Sequence, residues 1–288
     1  MTNKKNLENI KKLREITGVG FSDCKLAIAE NNGDIEKSIE YLRKKGIAKA
    51  SKKMSRVAAE GLALLNEKDG NVSAIEINSE TDFVAKNKDF ISFCKEISEI
   101  NFKNKSNLDS LKLSKMKNRK TVEENLIALI SKIGEKITIR RSKYLSNKGL
   151  NFTYVHNSLE KNIGKLVTIV KLSKNSKKDL KEIGSKLAMH VAAQAPIAID
   201  ENGIKKEVLD KELEIIKEEL KNSGKKADMI EKIANGKIKK FISDNTLLNQ
   251  VWIMDTKMKV NQVIKQHSDG GEIKILDFAR FKVGEGID

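Results

Sequence analysis

The segment Asn78–Asn87 gathers residue types that could do chemistry at a turn. It reads Asn-Ser-Glu-Thr-Asp-Phe-Val-Ala-Lys-Asn, follows an apolar run that ends at Ile77 and precedes a helical pattern. This context predicts a strand-to-helix corner. In one interpretation Thr81 or Asp82 caps a short turn while Phe83 packs inward; in the other, Asp82 and Phe83 are displayed for function. Residue chemistry alone favours the first, because an apolar side chain in a turn more often packs inward.

Motifs for catalysis and nucleotide binding depend on fixed spacings, and the sequence contains none of those we sought. There is no Walker-type phosphate loop and no GxSxG nucleophile elbow. The run Gly18-Val19-Gly20 follows a helical pattern instead of a strand and lacks the third glycine of a dinucleotide fingerprint. We therefore expect that the protein is not an enzyme, needs no cofactor and does not bind nucleotide directly.

The histidines do not predict a metal site. His156, His190 and His267 are too far apart in sequence to form a local ligand set. A lone histidine is more often a satisfied core residue or a surface residue than a ligand. No metal is expected.

The net charge of +16 leaves one class of function open, that of an RNA-binding or ribosome-associated basic protein. Basic surfaces gain affinity for phosphates by releasing counterions, so this class predicts strongly salt-dependent RNA binding. However, only seven of the 56 basic residues are arginine, the side chain best shaped to grip phosphate, and aromatic residues make up 5%. Abundant lysine beside asparagine and isoleucine is typical of an AT-rich genome. No specific nucleic-acid partner is expected.

The cysteines and the hydropathy indicate a cytoplasmic protein. Cys24 and Cys94 stand alone without a CxxC pair, which suits a reducing compartment. No apolar run approaches the roughly 18 residues that a membrane span needs. We therefore expect no membrane partner.

The first half of the chain predicts a helical module followed by a mixed unit. From Leu7 to Gly46 three short helices are expected, with Ser22 and Asp34 as N-caps, and Lys44–Met54 is expected to be a helical or flexible linker instead of core. Their apolar positions at helical spacing are Leu13, Ile16, Cys24, Ile28, Ile35, Ile39 and Leu42. The mixed unit has strands at Leu62–Leu65, Val72–Ile77 and Lys136–Arg141, a hairpin turn at Asp69-Gly70, and helices from Asp89 and over Thr121–Ile133.

The second half repeats this order and adds a helical hairpin. Leu166–Leu172 is predicted as a strand, with a helix from Asp179 that ends before Pro196. Leu209, Leu213, Ile216 and Leu220 form a short coiled-coil stripe, and the chain turns back near Asn222–Gly224. The closing elements are expected to be strands at Val251–Met254 and Glu272–Val283 around a helix at Lys257–His267, with a β-bulge near Leu276.

At the segment Thr81–Asn87 the sequence resembles the bacterial elongation factor Ts family. The resemblance spans essentially the whole chain, because further motifs occur in the expected order and at the expected distances. These motifs are Leu13–Gly20 with Asp23–Lys25, Asn32–Glu36, Thr81–Asn87, Lys132–Glu135 with Arg140 and Arg141, His190–Ala193, Lys239–Phe241 and Val283–Ile287.

The resemblance implies an α+β fold with four parts. Residues 1–55 would form a three-helix module similar to ubiquitin-associated (UBA) domains, with its linker. Residues 56–142 would form one antiparallel sheet-plus-helix core subdomain, and residues 143–199 with 245–288 a second. Residues 200–244 would form an inserted antiparallel coiled-coil hairpin.

The resemblance also implies a function, guanine-nucleotide exchange on elongation factor Tu in its nucleotide-free or GDP form, during translation elongation. The binding segment would be Thr81–Val84, with Asp82 and Phe83 inserted as a wedge that disturbs the magnesium and phosphate site of Tu. Further contact residues carried over by motif are Arg14, Phe21, Ile133, Gly134 and His156. A homodimer or a 2:2 complex with Tu is left open.

Overall fold

The N-terminal part of the computed structural model is a bundle of three helices, as predicted. The structure describes residues 2–17, 19–174, 179–223, 227–268 and 271–287, so Gly18 and Gly224 lie outside the described residues. The helices are α1 (Thr2–Thr17), α2 (Phe21–Glu30) and α3 (Ile35–Lys53). Asp34 caps α3 by accepting a 3.0 Å hydrogen bond from the Lys37 N–H, as expected.

The small core of this bundle contains most of the predicted apolar positions. Its buried residues are Ile10, Leu13, Cys24, Ala27, Ile28 and Leu42. Two expectations are wrong: Ile16 lies half-exposed on the surface, and the N-cap of α2 is Gly20 instead of Ser22. Glycine is a tolerated N-cap, and the ends of a helix are the least certain part of a sequence pattern.

The segment predicted as a helical or flexible linker, Lys44–Met54, is largely the second half of α3, and one side of it packs against the core, which was not expected. Ala50 is buried in the core of the unit that follows, which we call the first core cluster, and Gly46 lies against Ser131. Arg43 also pairs with Glu124. The interpretation failed because the contact uses small residues, which leave no apolar stripe in the sequence.

The next unit is an antiparallel sheet of three strands covered by helices. The strands are β1 (Glu60–Lys68), β2 (Asn71–Ser79) and β3 (Ile137–Leu145). Asp69 and Gly70 both have positive φ angles, 51° and 73°, which confirms the predicted tight hairpin. The helices are α4 (Asp82–Ala85), α5 (Lys88–Lys103), α6 (Leu108–Leu113) and α7 (Val122–Ile133).

The core of this unit lies between one face of the strands and the helices. Leu62, Leu64, Ile75 and Ile77 face Phe90, Cys94 and Ile97 of α5 and Ile130 of α7. Thr121 begins α7 with a reciprocal capping box to Glu124, and Gly134 ends it at φ 89°, a left-handed conformation that favours glycine. These two caps fix the position of the corner that follows α7.

Besides the helical hairpin described below, the second half contributes three more strands and two helices that pack with them. They are β4 (Leu150–Glu160), β5 (Ile163–Leu172), β6 (Ile275–Lys282), α8 (Lys181–Gln194) and α11 (Val260–His267). The predicted bulge is confirmed, because Lys171 pairs with Asp277 and Leu172 with Ile275, so that Leu276 has no partner across the strands. Helix α8 ends just before Pro196.

The two halves share one sheet, which the pattern of the sequence did not predict. The strand order is β3-β2-β1-β5-β4, and β6 also pairs with β5. Ala63 and Leu64 of β1 pair across to Gly164 and Ile163 of β5, and the Leu65 N–H donates to the Asn162 carbonyl at 2.8 Å. The strands curl so that the second face also buries apolar side chains, among them Leu65, Val72, Ile169 and Phe281. The fold is α+β.

The hairpin is inserted within the second half, between α8 and α11, and consists of α9 (Lys206–Asn222) and α10 (Ala227–Asn245). Ile216, Leu220, Ile230 and Ala234 form their own buried cluster. Ion pairs at 2.6 Å between Lys217 and Glu231 and at 3.2 Å between Lys237 and Glu219 join the helices on the outside.

Three elements differ from expectation. Strand β4 and helix α6 were not predicted, because β4 has no fully buried residue and α6 is short and buries only Leu111. The strand expected at Val251–Met254 is wrong, since only an isolated bridge from Val251 to Lys259 forms there. Trp252 in this segment is buried against the His190 ring.

Candidate functional site

The Asp–Phe turn, Thr81–Asn87, displays Phe83 to solvent. Phe83 is 79% exposed, the highest value among the large apolar side chains of the described residues. Its neighbours Val84 and Ala85 are buried in the first core cluster. A single helical turn has room for few inward positions, and these two residues take them. The interpretation that Phe83 packs inward is therefore wrong.

The rest of the turn is held by short local bonds. The Lys86 N–H donates to the Phe83 carbonyl at 3.2 Å, and the Asn87 N–H donates to the Val84 carbonyl at 2.9 Å. The Asn87 side chain then caps α5 by accepting from Asp89 and Phe90. Thr81 stands at the N-cap position of α4, as one interpretation expected, but its side chain makes no capping bond there.

Asp82 presents an ionised carboxylate beside Phe83. Its oxygen accepts a 2.8 Å bond from the Lys86 ammonium, one helical turn away. This bond lowers the pKa of Asp82 and raises the pKa of Lys86, while a more distant Lys165 also lowers the pKa of Asp82. A phenyl ring and a carboxylate thus project from adjacent positions of one short helix.

The corner after α7 lies directly against this turn. The Glu135 carboxylate accepts the Thr81 N–H at 3.0 Å and the Thr81 hydroxyl at 2.7 Å. Gly134 is exposed, and its carbonyl accepts from the Lys53 ammonium. Ile133 is half-buried and packs against the first core cluster. The structure thus brings Thr81–Val84, Ile133 and Gly134 into one region.

The other predicted contact residues lie elsewhere on the surface. His156 is exposed on β4, where its ring bonds to the Tyr154 hydroxyl at 2.9 Å. Arg14 and Phe21 are exposed on the N-terminal bundle, on either side of the turn between α1 and α2. Among the described residues, none of these three forms a hydrogen bond or ion pair with residues 81–84.

His190 and the two cysteines are buried inside the protein. His190 is buried, bonds to Gln250 at 3.1 Å and stacks on Trp252, and burial lowers the pKa of its imidazole. Cys24 and Cys94 are buried free thiols, and burial raises the pKa of both.

Across the described ranges, no three histidine, cysteine or acidic side chains are arranged to hold a metal ion. Within the same ranges, every helix is too short or too polar to cross a membrane.

Comparison with known proteins shows which family the chain resembles. The family described as "Elongation factor TS" matches residues 80–285, a range that begins one residue before the Asp–Phe turn. The chain belongs to the elongation factor Ts family. Curated members named Elongation factor Ts are 41% identical in Rickettsia akari (strain Hartford) and 42% identical in Xanthobacter autotrophicus. Each alignment covers 97% of this chain and 92% of the relative, and a member from Rickettsia prowazekii is 42% identical over the same shares.

In this elongation factor Ts chain, sequence reasoning missed the residues that support the turn. Glu135 was noticed only as part of a motif, and Glu80 and Lys86 only as polar residues of the segment. The signal that could have found Lys86 is its spacing of four from Asp82, which pairs opposite charges on a helix. Nothing in one sequence shows that Glu135 lies beside Thr81, because the two are 54 residues apart.

Proposed function

We propose that this protein is a guanine-nucleotide exchange factor for elongation factor Tu, which it binds at the G domain to promote release of GDP and magnesium. The observation that carries the proposal is Phe83, 79% exposed beside an ionised Asp82 on a turn anchored to the core. Exposing an aromatic ring in this way costs free energy in water, which binding to a partner can recover. Membership of the elongation factor Ts family identifies the partner.

The proposed mechanism needs no covalent step. A factor that weakens the binding of GDP to Tu must itself bind nucleotide-free Tu more tightly by the same ratio. Phe83 would gain about 2 kcal/mol by entering an apolar pocket that is open only in that state. Asp82 would disturb the charges around magnesium and phosphate, since a carboxylate competes for the same positive groups.

The remaining contacts would surround this wedge. Ile133 and Gly134 lie at the adjacent corner, while Arg14 and Phe21 would bring the N-terminal bundle onto the same G domain. His156 would add a contact from β4. The bundle would correspond to the UBA-like module, α9 and α10 to the coiled-coil hairpin, and the protein would act in the cytoplasm. The hairpin offers a surface for a homodimer or a 2:2 complex.

The arginines argue against the alternative of RNA binding. Five of the seven pair with carboxylates within the protein, namely Arg43, Arg56, Arg140, Arg141 and Arg280. A guanidinium that already holds a carboxylate is less available for phosphate. The positive charge is therefore carried mainly by dispersed lysines.

Titration calorimetry with purified elongation factor Tu tests the proposal. We expect a stoichiometric complex with nucleotide-free Tu and a much weaker one when GDP is present. Equal affinity with and without GDP would contradict the proposal, because a ligand with equal affinity for both states shifts neither. Strong, salt-dependent binding to RNA with no binding to Tu would favour the alternative.

A further inference from the structure

The carboxylates of Glu80 and Glu135 link two neighbouring corners of the chain beside the Asp–Phe turn. Glu135, in the corner after α7, accepts two hydrogen bonds from Thr81. Glu80, in the corner after β2, accepts the N–H of Lys136 and a bond of 3.3 Å from the Arg56 guanidinium. Each corner thus supplies a carboxylate to a backbone N–H of the other. We call these four residues, Glu80, Thr81, Glu135 and Lys136, the clasp.

The clasp is placed where it can set the direction of Phe83. Thr81 is the N-cap residue of α4, so its own N–H has no partner inside that helix. Glu135 satisfies this N–H and the neighbouring hydroxyl together, and bonds to a charged acceptor are stronger than neutral ones. Both residues are half-buried, and the Glu80 side chain is only 19% exposed, so water screens these bonds less than it would on an open surface.

The same corner also holds the end of α3. The Lys136 ammonium donates to the carbonyls of Met54 and Arg56, both at 2.7 Å. The Lys53 ammonium donates to the Gly134 carbonyl. Because α3 carries the N-terminal bundle, these bonds fix where the bundle sits relative to the Asp–Phe turn.

We propose that the clasp is a positioning device for nucleotide exchange: Glu135 and Glu80 hold Phe83 in its displayed direction and fix its spacing from Arg14 and Phe21. The inference rests on the proposed function, in which Asp82 and Phe83 touch the partner, whereas Glu135 and Glu80 act through them. A loosened turn would still contain Phe83, but the ring would have to be ordered at each encounter. The cost would appear in the maximal exchange rate.

The test is a double-mutant cycle between Glu135→Gln and Phe83→Ala. Its readout is the rate of GDP release from Tu at a saturating concentration of factor. Glutamine keeps the size of the side chain and one acceptor oxygen, but it loses the charge and the second acceptor. We expect Glu135→Gln to reduce the maximal rate roughly tenfold in the wild-type background. In the Phe83→Ala background it should reduce the rate less than about twofold, because no ring remains to be positioned.

The chain offers a matched control at Glu67. Its carboxylate accepts a 2.7 Å bond from the Thr153 hydroxyl, an exposed threonine–glutamate pair that joins β4 to β1 without a backbone N–H. Glu67→Gln should leave the rate unchanged in both backgrounds. Thr81→Val, which removes only the hydroxyl donor, should reduce the rate by a smaller factor than Glu135→Gln, and Thr81→Ser should restore it.

The possible outcomes separate the two proposals. Equal losses in both backgrounds, or no loss from Glu135→Gln, would overturn the positioning role. If the wild-type protein itself failed to accelerate GDP release, the proposed function would fail instead. Hydrogen exchange would then test the clasp: Glu135→Ala, which leaves no acceptor, should speed exchange of the Thr81 amide, and unchanged protection of that amide would overturn the clasp. Thermal unfolding checks that each variant is folded.

Discussion

Thr81 and Glu135 are joined by two hydrogen bonds, of 3.0 and 2.7 Å, across 54 residues of sequence. This pair connects the turn after β2 to the corner after α7, and within that turn Phe83 lies outside the core while its neighbours Val84 and Ala85 lie inside. An exposed phenyl ring on a firmly bonded turn is costly for a protein that has no use for it. The arrangement therefore points to a partner that covers the ring.

Phe83 should matter little for folding. Because its ring is 79% exposed, Phe83→Ala should change the free energy of unfolding by less than about 0.5 kcal/mol. Phe90, two residues into α5 and fully buried, is the matched control: Phe90→Ala should cost about 3 to 5 kcal/mol. Urea unfolding of both variants checks this. A large destabilisation by Phe83→Ala would place the ring in the core after all.

Asp82 should act through its charge on the partner and not through the fold. Asp82→Asn keeps the shape of the side chain but removes the ion pair with Lys86, which is exposed and therefore weak. We expect unchanged thermal unfolding and a slower release of GDP, with the largest deficit at high magnesium concentration. The measurement is the release rate as magnesium is varied, with Lys86→Gln as the control for loss of the ion pair alone. Equal effects of the two variants would assign the role to the pair instead of to Asp82.

Glu76 is a buried carboxylate that ties the C-terminal residues to the sheet. It accepts bonds from Asn78 at 3.0 Å, from Arg140 at 3.1 Å, from Arg141, and from the Gly284 N–H at 2.9 Å. Gly284 has a φ of 76°, and a Cβ there would lie 2.0 Å from the Ala59 carbonyl oxygen, so only glycine fits. Burial raises the pKa of Glu76, but the hydrogen bonds outweigh it and hold the pKa below its usual value of 4.5.

This network predicts a pH dependence of stability. A carboxylate whose pKa is lowered by folding stabilises the folded state fully above its unfolded pKa, and the contribution is lost as the pH falls through the folded pKa. Glu76→Gln should therefore cost about 2 to 3 kcal/mol at pH 7. The difference from wild type should shrink as the pH is lowered below 4.5, the value in the unfolded chain. Urea unfolding at a series of pH values measures it, and a difference that stayed constant down to pH 3 would contradict the assignment.

The hairpin of α9 and α10 should be separable from the core. Its buried cluster is distinct from the others, and the chain enters and leaves it at adjacent points, where Ala198 bridges to Thr246. Replacing residues 206–240 by a flexible linker should remove helical circular dichroism but leave the unfolding midpoint of the core within a few degrees. Calorimetry and light scattering would show stability and mass. A core that no longer folds would show that the hairpin is part of it.

Much of the fold could be predicted from local patterns in the sequence. The Asp69-Gly70 hairpin, the cap at Asp34, the end of α7 at Gly134 and the bulge at Leu276 all depend on one or two residues whose backbone preferences are strong. The predictions that failed concern elements whose packing partners are distant in the sequence. Ala50 is core because α7 lies beside it, and β4 forms because β5 offers an edge.

The candidate site was also predicted only in part from the sequence. The segment around Asp82 and Phe83 was recognisable as a corner, and its family resemblance identified the residues. Whether Phe83 points inward or outward could not be decided from its neighbours, because Val84 and Ala85 are equally suited to the surface of a turn. The structure shows that Val84 and Ala85 take the inward positions, and that Glu135 holds the start of the turn from a distant part of the chain.

The most direct test of the account is the rate at which fluorescent GDP leaves elongation factor Tu, measured by stopped flow with wild-type protein and with Phe83→Ala. Removing an anchor side chain from an interface typically costs about 2 kcal/mol or more, which is roughly a thirtyfold lower rate. We predict that wild-type protein accelerates the release strongly and that Phe83→Ala, folded to the same stability, loses about thirtyfold of this effect. Release at the wild-type rate with the folded variant would contradict the central claim.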